Sequence, residues 1–340
     1  MRRLAAPAAL LTLAACLAPL AGGAAPPRSW AQPQINAVVA AGIMGTDPQG
    51  FRPDDPLTQA DLDGLIGGLT QQPAEAGFTE QPVTMATLDL QLVDALGLGA
   101  TAQQFASTVR AAGLKVPARF GTEVVARLLG LRVNHPAKQD ALELLPRDPA
   151  TRAEAAYSAA RILGFSGDET QRVQDAAASF TLPAYTPWQK RILSTAFSFV
   201  GFPYVWGGTS EKQQTLFGVT SHGGFDCSGF VWRVYKLQAY PDGGTLGVSL
   251  KGRTTMQMSG EIPPAQRIGF DDLQPGDVVF FGAKGRKSKP AQIDHAGIYV
   301  GSGWFVHSSG YGVALAQLDG WYLDEFAWAR RPLAEAGLNA

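Results

Sequence analysis

The sequence contains little cysteine and no excess of either charge. Two cysteines, Cys16 and Cys227, occur among 340 residues, and 28 basic against 29 acidic residues give a formal net charge of −1. This balance does not indicate a nucleic-acid partner, which would require a basic surface. After residue 20 no apolar run is long enough to cross a bilayer, so we expect no transmembrane segment. Hydrophobic residues make up 46% of the chain, which is enough for globular cores.

The first 25 residues differ from the rest. Arg2 and Arg3 precede an apolar run rich in Ala and Leu over residues 4–20, and small residues follow over 21–25. This order is typical of a secretory signal that is removed on export. The sequence therefore predicts a signal peptide over residues 1–25 and a secreted protein.

The stretch LAAC at residues 13–16 allows a second interpretation of the same segment. It resembles a lipobox, in which Cys16 would be lipidated and become the mature N-terminus. Because apolar residues continue to Leu20, cleavage after the small residues fits better. In either case Cys227 is the single unlipidated cysteine. This excludes a disulfide within the mature chain and leaves a reactive or a buried thiol.

Residues 26–165 are predicted to be mainly helical. After a Pro-rich start, apolar residues recur at helical spacing, among them Ile35, Val38, Val39, Ile43, Leu88, Leu92, Leu96, Val124, Val125, Leu128 and Leu129. A weak internal repeat is also present, because residues 51–66 resemble residues 144–159 and residues 80–93 form a looser third copy. The pattern favours a helical region built from related units.

Each of the two better copies predicts a helix start. Thr58 and Thr151 follow an Asp-Pro pair, and their hydroxyls fit the N-cap position. Asp61 and Glu154, three residues later, would complete a capping box. Ordinary helix starts without repeat character are the alternative interpretation.

A longer match supports the repeat. Residues 29–62 closely resemble one S-layer homology repeat, including a helix, a Gly-Ile turn, a Gly-Phe-Arg-Pro loop and a second helix start. Residues 117–164 resemble a degenerate copy that lacks the Gly-Phe loop. The resemblance implies binding to cell-wall polymers, so residues 26–165 are expected to form a wall-binding region.

The composition changes after residue 165. Turn residues at 166–168 and the segment TLPAYTP at 181–187 predict an interdomain linker over residues 166–187. From residue 188 onwards, strand-like and aromatic runs predominate. A second domain is therefore predicted over residues 188–340.

Cys227 lies in the segment GGFDCSGFVWRVYKL at residues 223–237. Apolar side chains after it follow helical spacing, so the cysteine is predicted to begin an amphipathic helix. At a helix start, unpaired N–H groups and the helix dipole favour the thiolate and lower the pKa of the thiol. The alternative is a core cysteine, which would lie on the apolar face rather than before it. The pattern thus favours a nucleophile.

His295 and His307 lie in two predicted strands separated by residues 301–303. A three-residue loop would place both histidines on one face as diagonal neighbours, whereas a two-residue loop would place them on opposite faces. One histidine acting as a base and a second orienting it would activate a cysteine. The alternative is two strand residues without a chemical role. His222 is predicted to be an ordinary loop residue.

Sequence blocks that include these residues resemble, in chain order, the signature of NlpC-type peptidoglycan endopeptidases. The blocks are PYVWGG (203–208), FDCSGFVW (225–232), LQPGDVVFF (273–281), DHAGIYVG (294–301) and FVHSS (305–309). The match covers about residues 190–330. It implies an α+β, papain-like fold in which the Cys227 helix packs on an antiparallel sheet carrying both histidines.

The resemblance also implies catalytic roles. Cys227 would be the nucleophile, His295 the general base and acid, and His307 the orienting third member. Tyr204 matches a family tyrosine near the nucleophile that polarises the oxyanion. The backbone N–H of Cys227 is expected to join the oxyanion hole.

Four further residues are predicted to bind substrate. Asp226 and Ser228 flank the nucleophile, at positions that contact the amine in relatives requiring a free substrate N-terminus, and a carboxylate suits an ammonium group. Trp206 and Arg253 are expected to line the cleft.

Two segments depart from the family pattern. Residues 209–224 form a longer loop than expected, and the basic loop AKGRKSKP at 283–290 precedes His295. Both could border the cleft, and the basic loop could attract acidic wall peptides. A solvated turn is the alternative for the second.

The implied reaction is hydrolysis of an amide in peptidoglycan stem peptides, usually between D-γ-glutamate and a diamino acid. The expected location is outside the cell, at the wall or in the periplasm, with no cofactor and no metal. Two alternatives stay open. One is an amidase that cuts between muramic acid and L-Ala. The other is a non-enzymatic wall-anchoring protein with an inactive peptidase domain, against which intact Cys227, His295 and His307 argue.

Overall fold

The computed structural model describes residues 29–72 and 79–338. The predicted signal peptide and Cys16 lie outside these residues. The N-terminal region (residues 29–179) contains α1 (Gln32–Ala40), α2 (Gln59–Thr70), α3 (Met85–Ala95), α4 (Gly99–Ala111), α5 (Phe120–Leu128), α6 (Arg152–Leu163) and α7 (Glu169–Ser179). A 3-10 turn, Ala137–Leu142, lies between α5 and α6. The mainly helical character predicted for residues 26–165 is confirmed where the structure describes them.

The C-terminal region (residues 187–338) mixes helices and strands. Its helices are α8 (Pro187–Ser198), α9 (Cys227–Trp232), α10 (Leu246–Ser249), α11 (Thr255–Gly260), α12 (Gly320–Glu325) and α13 (Pro332–Glu335). Its strands are β1 (Thr209–Ser210), β2 (Gln214–Leu216), β3 (Val219–Ser221), β4 (Gly224–Phe225), β5 (Val278–Phe281), β6 (His295–Gly301), β7 (Trp304–Ser309), β8 (Gly312–Gln317) and β9 (Phe326–Arg330). Within the described ranges, no helix has the length and apolar character that a bilayer crossing requires.

The three repeat copies meet at their helix starts. The hydroxyls of Thr58, Thr84 and Thr151 each accept a hydrogen bond from the backbone N–H three residues later, at 3.1–3.2 Å. Short β-bridges join the three starts in a ring: Pro56 to Thr151, Thr58 to Pro82, and Thr84 to Pro149. The predicted caps are therefore confirmed, and the loose middle copy takes the same place as the other two.

The two predicted capping boxes have different outcomes. Asp61 completes the box at Thr58, because its carboxylate accepts from the backbone N–H of that residue. Glu154 does not complete the box at Thr151. Its carboxylate turns into the core instead, where Nη1 of Arg132 lies 3.7 Å from Oε2. Pairing with a buried cation replaces the local hydrogen bond.

The N-terminal and C-terminal regions share one continuous core. Phe105 of α4 and Phe180 pack against Trp304 of β7, with ring centroids 6.1 and 5.1 Å away. Polar contacts also join the regions, since Arg127 Nη2 donates to the carbonyl of Gly201 at 2.5 Å. The predicted wall-binding region and the predicted peptidase region are thus packed directly on each other.

The segment predicted as a linker, residues 166–187, is packed against the rest of the chain. Helix α7 occupies half of it, and the extended segment after α7 is docked on the sheet by Phe180 and Tyr185. The Tyr185 hydroxyl donates to the carbonyl of Val300 at 2.9 Å. Turn-like composition identified the ends of this segment but not the two aromatic side chains that bury it. The exact domain boundaries remain a prediction.

One antiparallel sheet positions the candidate site. Its strand order is β8-β7-β6-β5-β9, and α9 packs on β6 and β7. Apolar side chains explain this packing, because Phe230 and Val231 of α9 share the core with Ala296 of β6 and Val306 of β7. The α+β, papain-like class predicted from the sequence is confirmed. A helix, α8, opens the region where strand-like runs were expected.

The hairpin between β6 and β7 brings the two histidines to one face. Residues 302–303 form a two-residue turn, which alone would place them on opposite faces. The register shifts by one residue after Tyr299, and this bulge restores the parity of a three-residue loop. Gly297 therefore pairs with His307, and His295, two residues earlier, is its diagonal neighbour. The predicted shared face is confirmed.

Candidate active site

Cys227 is the first residue of α9, as the apolar spacing predicted. Asp226 is the N-cap, and its Oδ1 accepts from the backbone N–H of Gly229 and, at 2.9 Å, from the Ser228 hydroxyl. The preceding Gly224 has a φ of 146°, and a Cβ there would lie 2.6 Å from a methyl group of Val205. Only glycine fits this approach, so the chain enters the helix in one fixed direction.

The thiol of Cys227 points at the start of β6. Its Sγ lies 3.8 Å from the carbonyl oxygen of Asp294, the residue before His295. The residue is buried, with 8% of its surface exposed. Burial raises the pKa of the thiol to about 12, and the negative charge of Asp226 adds to this. Backbone N–H groups of Ser228 and Ala296 act in the opposite direction but are weaker.

The expectation of a lowered thiol pKa is therefore wrong for the substrate-free structure. The helix start is present, but desolvation of the charged form outweighs the favourable dipole. In this state Cys227 holds its proton as a neutral thiol.

The two histidines form a hydrogen-bonded pair. His295 Nε2 and His307 Nδ1 are 2.7 Å apart, and the rings are nearly perpendicular, at 83°. If Nε2 of His295 donates, its Nδ1 carries the free lone pair and can accept a proton. In that tautomer the Nδ1 of His307 accepts the hydrogen bond that holds the His295 ring.

Aromatic side chains surround the imidazoles. Phe281 and Tyr322 lie 5.7 and 6.3 Å from His295 between ring centroids, and Phe305 lies 4.6 Å from His307. This apolar shell lowers the pKa of His295 to about 4 and lowers that of His307 well below its usual value. Both rings are neutral near pH 7, so His295 is available as a base.

These pKa directions predict how the thiol titrates. Because the pKa of folded Cys227 is raised to about 12, its thiolate should appear only as the pH approaches that value. We expect the thiolate absorbance near 240 nm, taken as wild type minus Cys227→Ala, to stay flat between pH 5 and 8. A step in that range would contradict the neutral resting state. Urea-unfolded protein, titrating near pH 8.5, provides the control.

Tyr204 lies near Cys227. Its backbone forms a parallel bridge with Phe225, two residues before Cys227. Burial raises the pKa of its phenol, and the nearby groups of Cys227, Asp226 and Asp140 raise it further. The hydroxyl therefore stays protonated and can donate a hydrogen bond.

Arg253 joins the predicted substrate-binding residues into one cluster. Its Nη1 donates to the Ser228 hydroxyl at 2.7 Å, and its Nη2 lies 3.2 Å from Oδ2 of Asp226. The same Nη2 donates to the carbonyl of Gly207 at 2.9 Å, next to Trp206. The structure thus brings all eight predicted site residues to one region. The Trp206 side chain lies at its outer edge, 55% exposed.

The N-terminal region contributes residues that the sequence did not reveal. Asp140 Oδ2 accepts from the backbone N–H of Trp206 at 3.1 Å, and burial raises the pKa of this carboxyl to about 6. When the side-chain amide of Asn134 is oriented with its nitrogen toward the nearby acceptors, it donates to the carbonyl of Tyr204 at 3.3 Å. Both contacts span more than 60 residues of chain, and no local pattern marks either residue.

Of the two segments that depart from the family pattern, residues 209–224 adjoin this region, because the Phe217 ring lies against Gly207. Residues 209–224 form the β2–β3 hairpin on a base made by β1 and β4. The charged side chains of the basic loop 283–290 are exposed. His222 pairs with Asp148 through a 2.7 Å contact and takes no part in the cluster. Among the described residues, no group of three or more His, Cys, Asp or Glu side chains is arranged to hold a metal ion.

Comparison with known proteins gives two family matches. Residues 201–331 match the NlpC/P60 family, and residues 26–62 match the S-layer homology domain.

Curated relatives match the peptidase part. A probable endopeptidase of Mycobacterium tuberculosis is 36% identical over 36% of this chain and 24% of its own length. The gamma-D-glutamyl-L-lysine dipeptidyl-peptidase of Bacillus subtilis is 32% identical over 34% of this chain and 31% of its own length. The murein DD-endopeptidase MepH of Escherichia coli is 34% identical over 32% of each. The chain spans only about a quarter to a third of the length of these relatives.

Solved structures include an NlpC/P60 family protein from Bacillus cereus. It is 28% identical and covers 46% of this chain and 43% of that chain, with a TM-score of 0.33. The NlpC/P60 match and the endopeptidase names of the relatives support the predicted enzyme class, a cysteine peptidase. Residues 201–331 of this chain therefore form an NlpC/P60 domain, preceded by an S-layer homology domain at residues 26–62.

Proposed function

We propose that this protein is a secreted cell-wall hydrolase that cleaves amide bonds in peptidoglycan stem peptides with Cys227 as its nucleophile. The observation that carries the proposal is the placement of Cys227 at a helix start against the strand of His295, whose ring is hydrogen-bonded to His307. The NlpC/P60 match and the names of the curated relatives support the same substrate class.

In the first step, the thiol of Cys227 attacks the carbonyl carbon of the scissile amide. Its proton passes to Nδ1 of His295 during attack, because the buried thiol does not ionise beforehand. A C–S bond forms and the carbonyl π pair moves to oxygen. The oxyanion accepts hydrogen bonds from the backbone N–H of Cys227, at the start of α9, and from the Tyr204 hydroxyl.

In the second step, the tetrahedral intermediate collapses and the C–N bond breaks. The His295 imidazolium gives its proton to the leaving amine, and a thioester of Cys227 remains. Water then attacks the thioester with His295 as base, which releases the carboxylic acid and restores the thiol. His307 keeps the imidazole ring oriented through both steps.

The bond we propose lies between D-γ-glutamate and the diamino acid. The name of the Bacillus subtilis relative, a gamma-D-glutamyl-L-lysine dipeptidyl-peptidase, supports this choice. Asp226 and Ser228 are proposed to face the amine side of the substrate. Because Arg253 already pairs with Asp226, this carboxylate can accept from the amide N–H of an N-acylated stem peptide as well as from a free ammonium group.

The test is digestion of purified muropeptides, with products identified by mass. Cleavage at the D-γ-glutamyl bond is expected. Release of intact stem peptides from muramic acid would instead support the amidase. Unchanged muropeptides would support the non-enzymatic wall-anchoring protein.

The S-layer homology domain indicates association with the cell surface. We further propose that a cleft of about 540 Å³ at the ring of helix starts binds wall polymer. It is lined by Arg52, Asp55, Pro56, Thr58, Ala60, Asp61, Glu80, Pro82 and Arg152. Arg152 is held by Asp61 and by the carbonyl of Phe51, whereas the Arg52 side chain is 72% exposed and can reach an anionic polymer.

Arg52→Gln should weaken wall binding without affecting the fold. Sedimentation of the full chain, carrying Cys227→Ala to prevent digestion, with purified cell walls measures this. We expect retention to fall several-fold, because the variant loses the exposed charge that would meet an anionic polymer. The fold should be unaffected, because Arg52 makes only a surface ion pair with Asp55 in the free protein. Arg110→Gln, an exposed arginine of α4, is the matched control. Equal retention of the two variants would contradict binding at this cleft.

A further inference from the structure

Two aromatic side chains remain exposed at the edge of the candidate site. Trp206 is 55% exposed and Phe217 is 80% exposed. The Phe217 ring lies against Gly207, because a Cβ added to that glycine would be 3.0 Å from Cε2 of the ring. Trp206 precedes Gly207 in the chain, so both exposed rings lie at the same part of the edge, and we call Trp206 and Phe217 the aromatic rim.

Phe217 occupies its position at a cost to the fold. It is the first residue of the turn between β2 and β3, with a φ of 51°, and Gly218 follows with a φ of 84°. Turns of this kind favour Asn-Gly, and a bulky side chain at positive φ is unfavourable. Because the Phe217 ring is exposed, its burial does not offset the cost of this backbone conformation to the stability of the fold. Such positions are associated with function.

The hairpin that carries Phe217 is fixed at its base. The Gln214 side chain accepts from the backbone N–H of Thr209 at 3.1 Å and donates to the carbonyl of Gly224 at 2.9 Å. Glu211 and Arg233 form a two-point ion pair at 2.9 and 3.0 Å. Phe217 of the aromatic rim is therefore carried by a hairpin that side-chain contacts fix at its base.

The aromatic rim is continuous with the candidate active site. The carbonyl of Gly207, the residue next to the Phe217 ring, accepts from Arg253, which pairs with Asp226 beside Cys227. A substrate held at Cys227 would extend over the rim.

The chemistry of the proposed substrate indicates which of its groups binds the aromatic rim, so this inference rests on the proposed function. A stem peptide cut between D-γ-glutamate and a diamino acid offers no large apolar side chain next to that bond. The glycan of peptidoglycan does offer apolar surface, because the C–H groups on one face of a pyranose ring can stack on the electron-rich face of an aromatic ring. We infer that Trp206 and Phe217 bind the glycan, so that the preferred substrate is a stem peptide still attached to sugar.

A binding experiment tests the rim without catalysis. The full chain with Cys227→Ala is titrated with a tetramer of N-acetylglucosamine, and tryptophan fluorescence is followed. Saturable binding is expected, with an affinity about tenfold lower after Phe217→Asn, since one stacking surface is lost. Asparagine tolerates positive φ, so the hairpin should keep its fold. Val248→Asn, at another exposed apolar residue, should bind like the parent. No binding, or equal binding by all three proteins, would overturn the inference.

A kinetic experiment separates the rim from the catalytic residues. Wild type and Phe217→Asn are compared on a disaccharide-linked stem peptide and on the same peptide without sugar. KM should rise about tenfold for the linked substrate only, with kcat unchanged. Equal effects on both substrates would indicate a peptide subsite and would overturn the inference. If sedimentation shows a wild-type dimer that Phe217→Asn converts to monomer, the rim is an interface between two copies of the chain. That result would also overturn the inference. If wild type cleaves neither substrate, the proposed function fails, while the sugar titration still decides the rim.

Discussion

Cys227→Ala is expected to lower kcat/KM on muropeptides by about 10⁴-fold or more, close to complete loss of activity. Loss of the nucleophile in comparable triads leaves only the contribution of binding and the oxyanion hole. In this chain the described part contains one free thiol, Cys227, so no second cysteine there could take its place. The measurement is a time course of product release at pH 7, with enzyme concentration raised until the residual rate is resolved.

Two further variants make this result specific. His295→Ala should lose a similar factor, because the thiol would then have no base to accept its proton. His222→Ala is the matched control, since His222 pairs with Asp148 on the surface and should retain wild-type rates. Wild-type activity in Cys227→Ala would remove the thiol from the mechanism. Inactivity of all three variants would indicate loss of fold and requires comparison of their melting temperatures.

Arg132→Leu should lower the free energy of unfolding by about 3–5 kcal/mol, the usual effect of breaking a buried ion pair by removing one partner. The guanidinium group of Arg132 lies 2.7 Å from Oδ2 of Asp89 and 3.7 Å from Oε2 of Glu154, and all three residues are buried. It also donates to the carbonyl of Met85 at 2.8 Å. The leucine variant would leave two carboxylates in the core without their cation.

Urea unfolding measures this loss, provided that the slope of the transition is unchanged. Arg172→Leu is the matched control, because its side chain is 63% exposed and makes only surface ion pairs. Its unfolding midpoint should match that of wild type. Because the two regions share a core, Arg132→Leu should also lower the temperature at which peptidase activity is lost. Activity that survives above the melting transition of α3 and α6 would contradict one cooperative core.

The sequence revealed those features that depend on local spacing. Apolar residues after Cys227 predicted the helix start, and the capping pattern at Thr58 predicted the start of α2. The shared face of His295 and His307 was predicted for a three-residue loop. It is reached in fact by a two-residue turn and a bulge, which have the same parity. Periodicity is a property of neighbouring residues, so it can be read from the chain alone.

Features that depend on tertiary packing could not be predicted in this way. The pKa of Cys227 follows from its burial, which no local pattern reports, and desolvation reverses the effect of the helix dipole. Asp140 reaches Trp206 across 66 residues of chain. The segment after α7 has the composition of a linker, yet Phe180 and Tyr185 bury it. In each case the deciding partner lies far away in sequence.

The docked segment between α7 and α8 has a mechanical consequence. A flexible tether would let a hydrolase search a sphere of wall around its attachment point. Here Phe180 and Tyr185 lock that segment onto the sheet, so the separation between Arg52 and Cys227 is set by the fold. If wall polymer occupies the cleft at Arg52, the fold fixes the distance between the bound polymer and Cys227. The proposed peptidase would then cut stem peptides at that distance from each anchoring point.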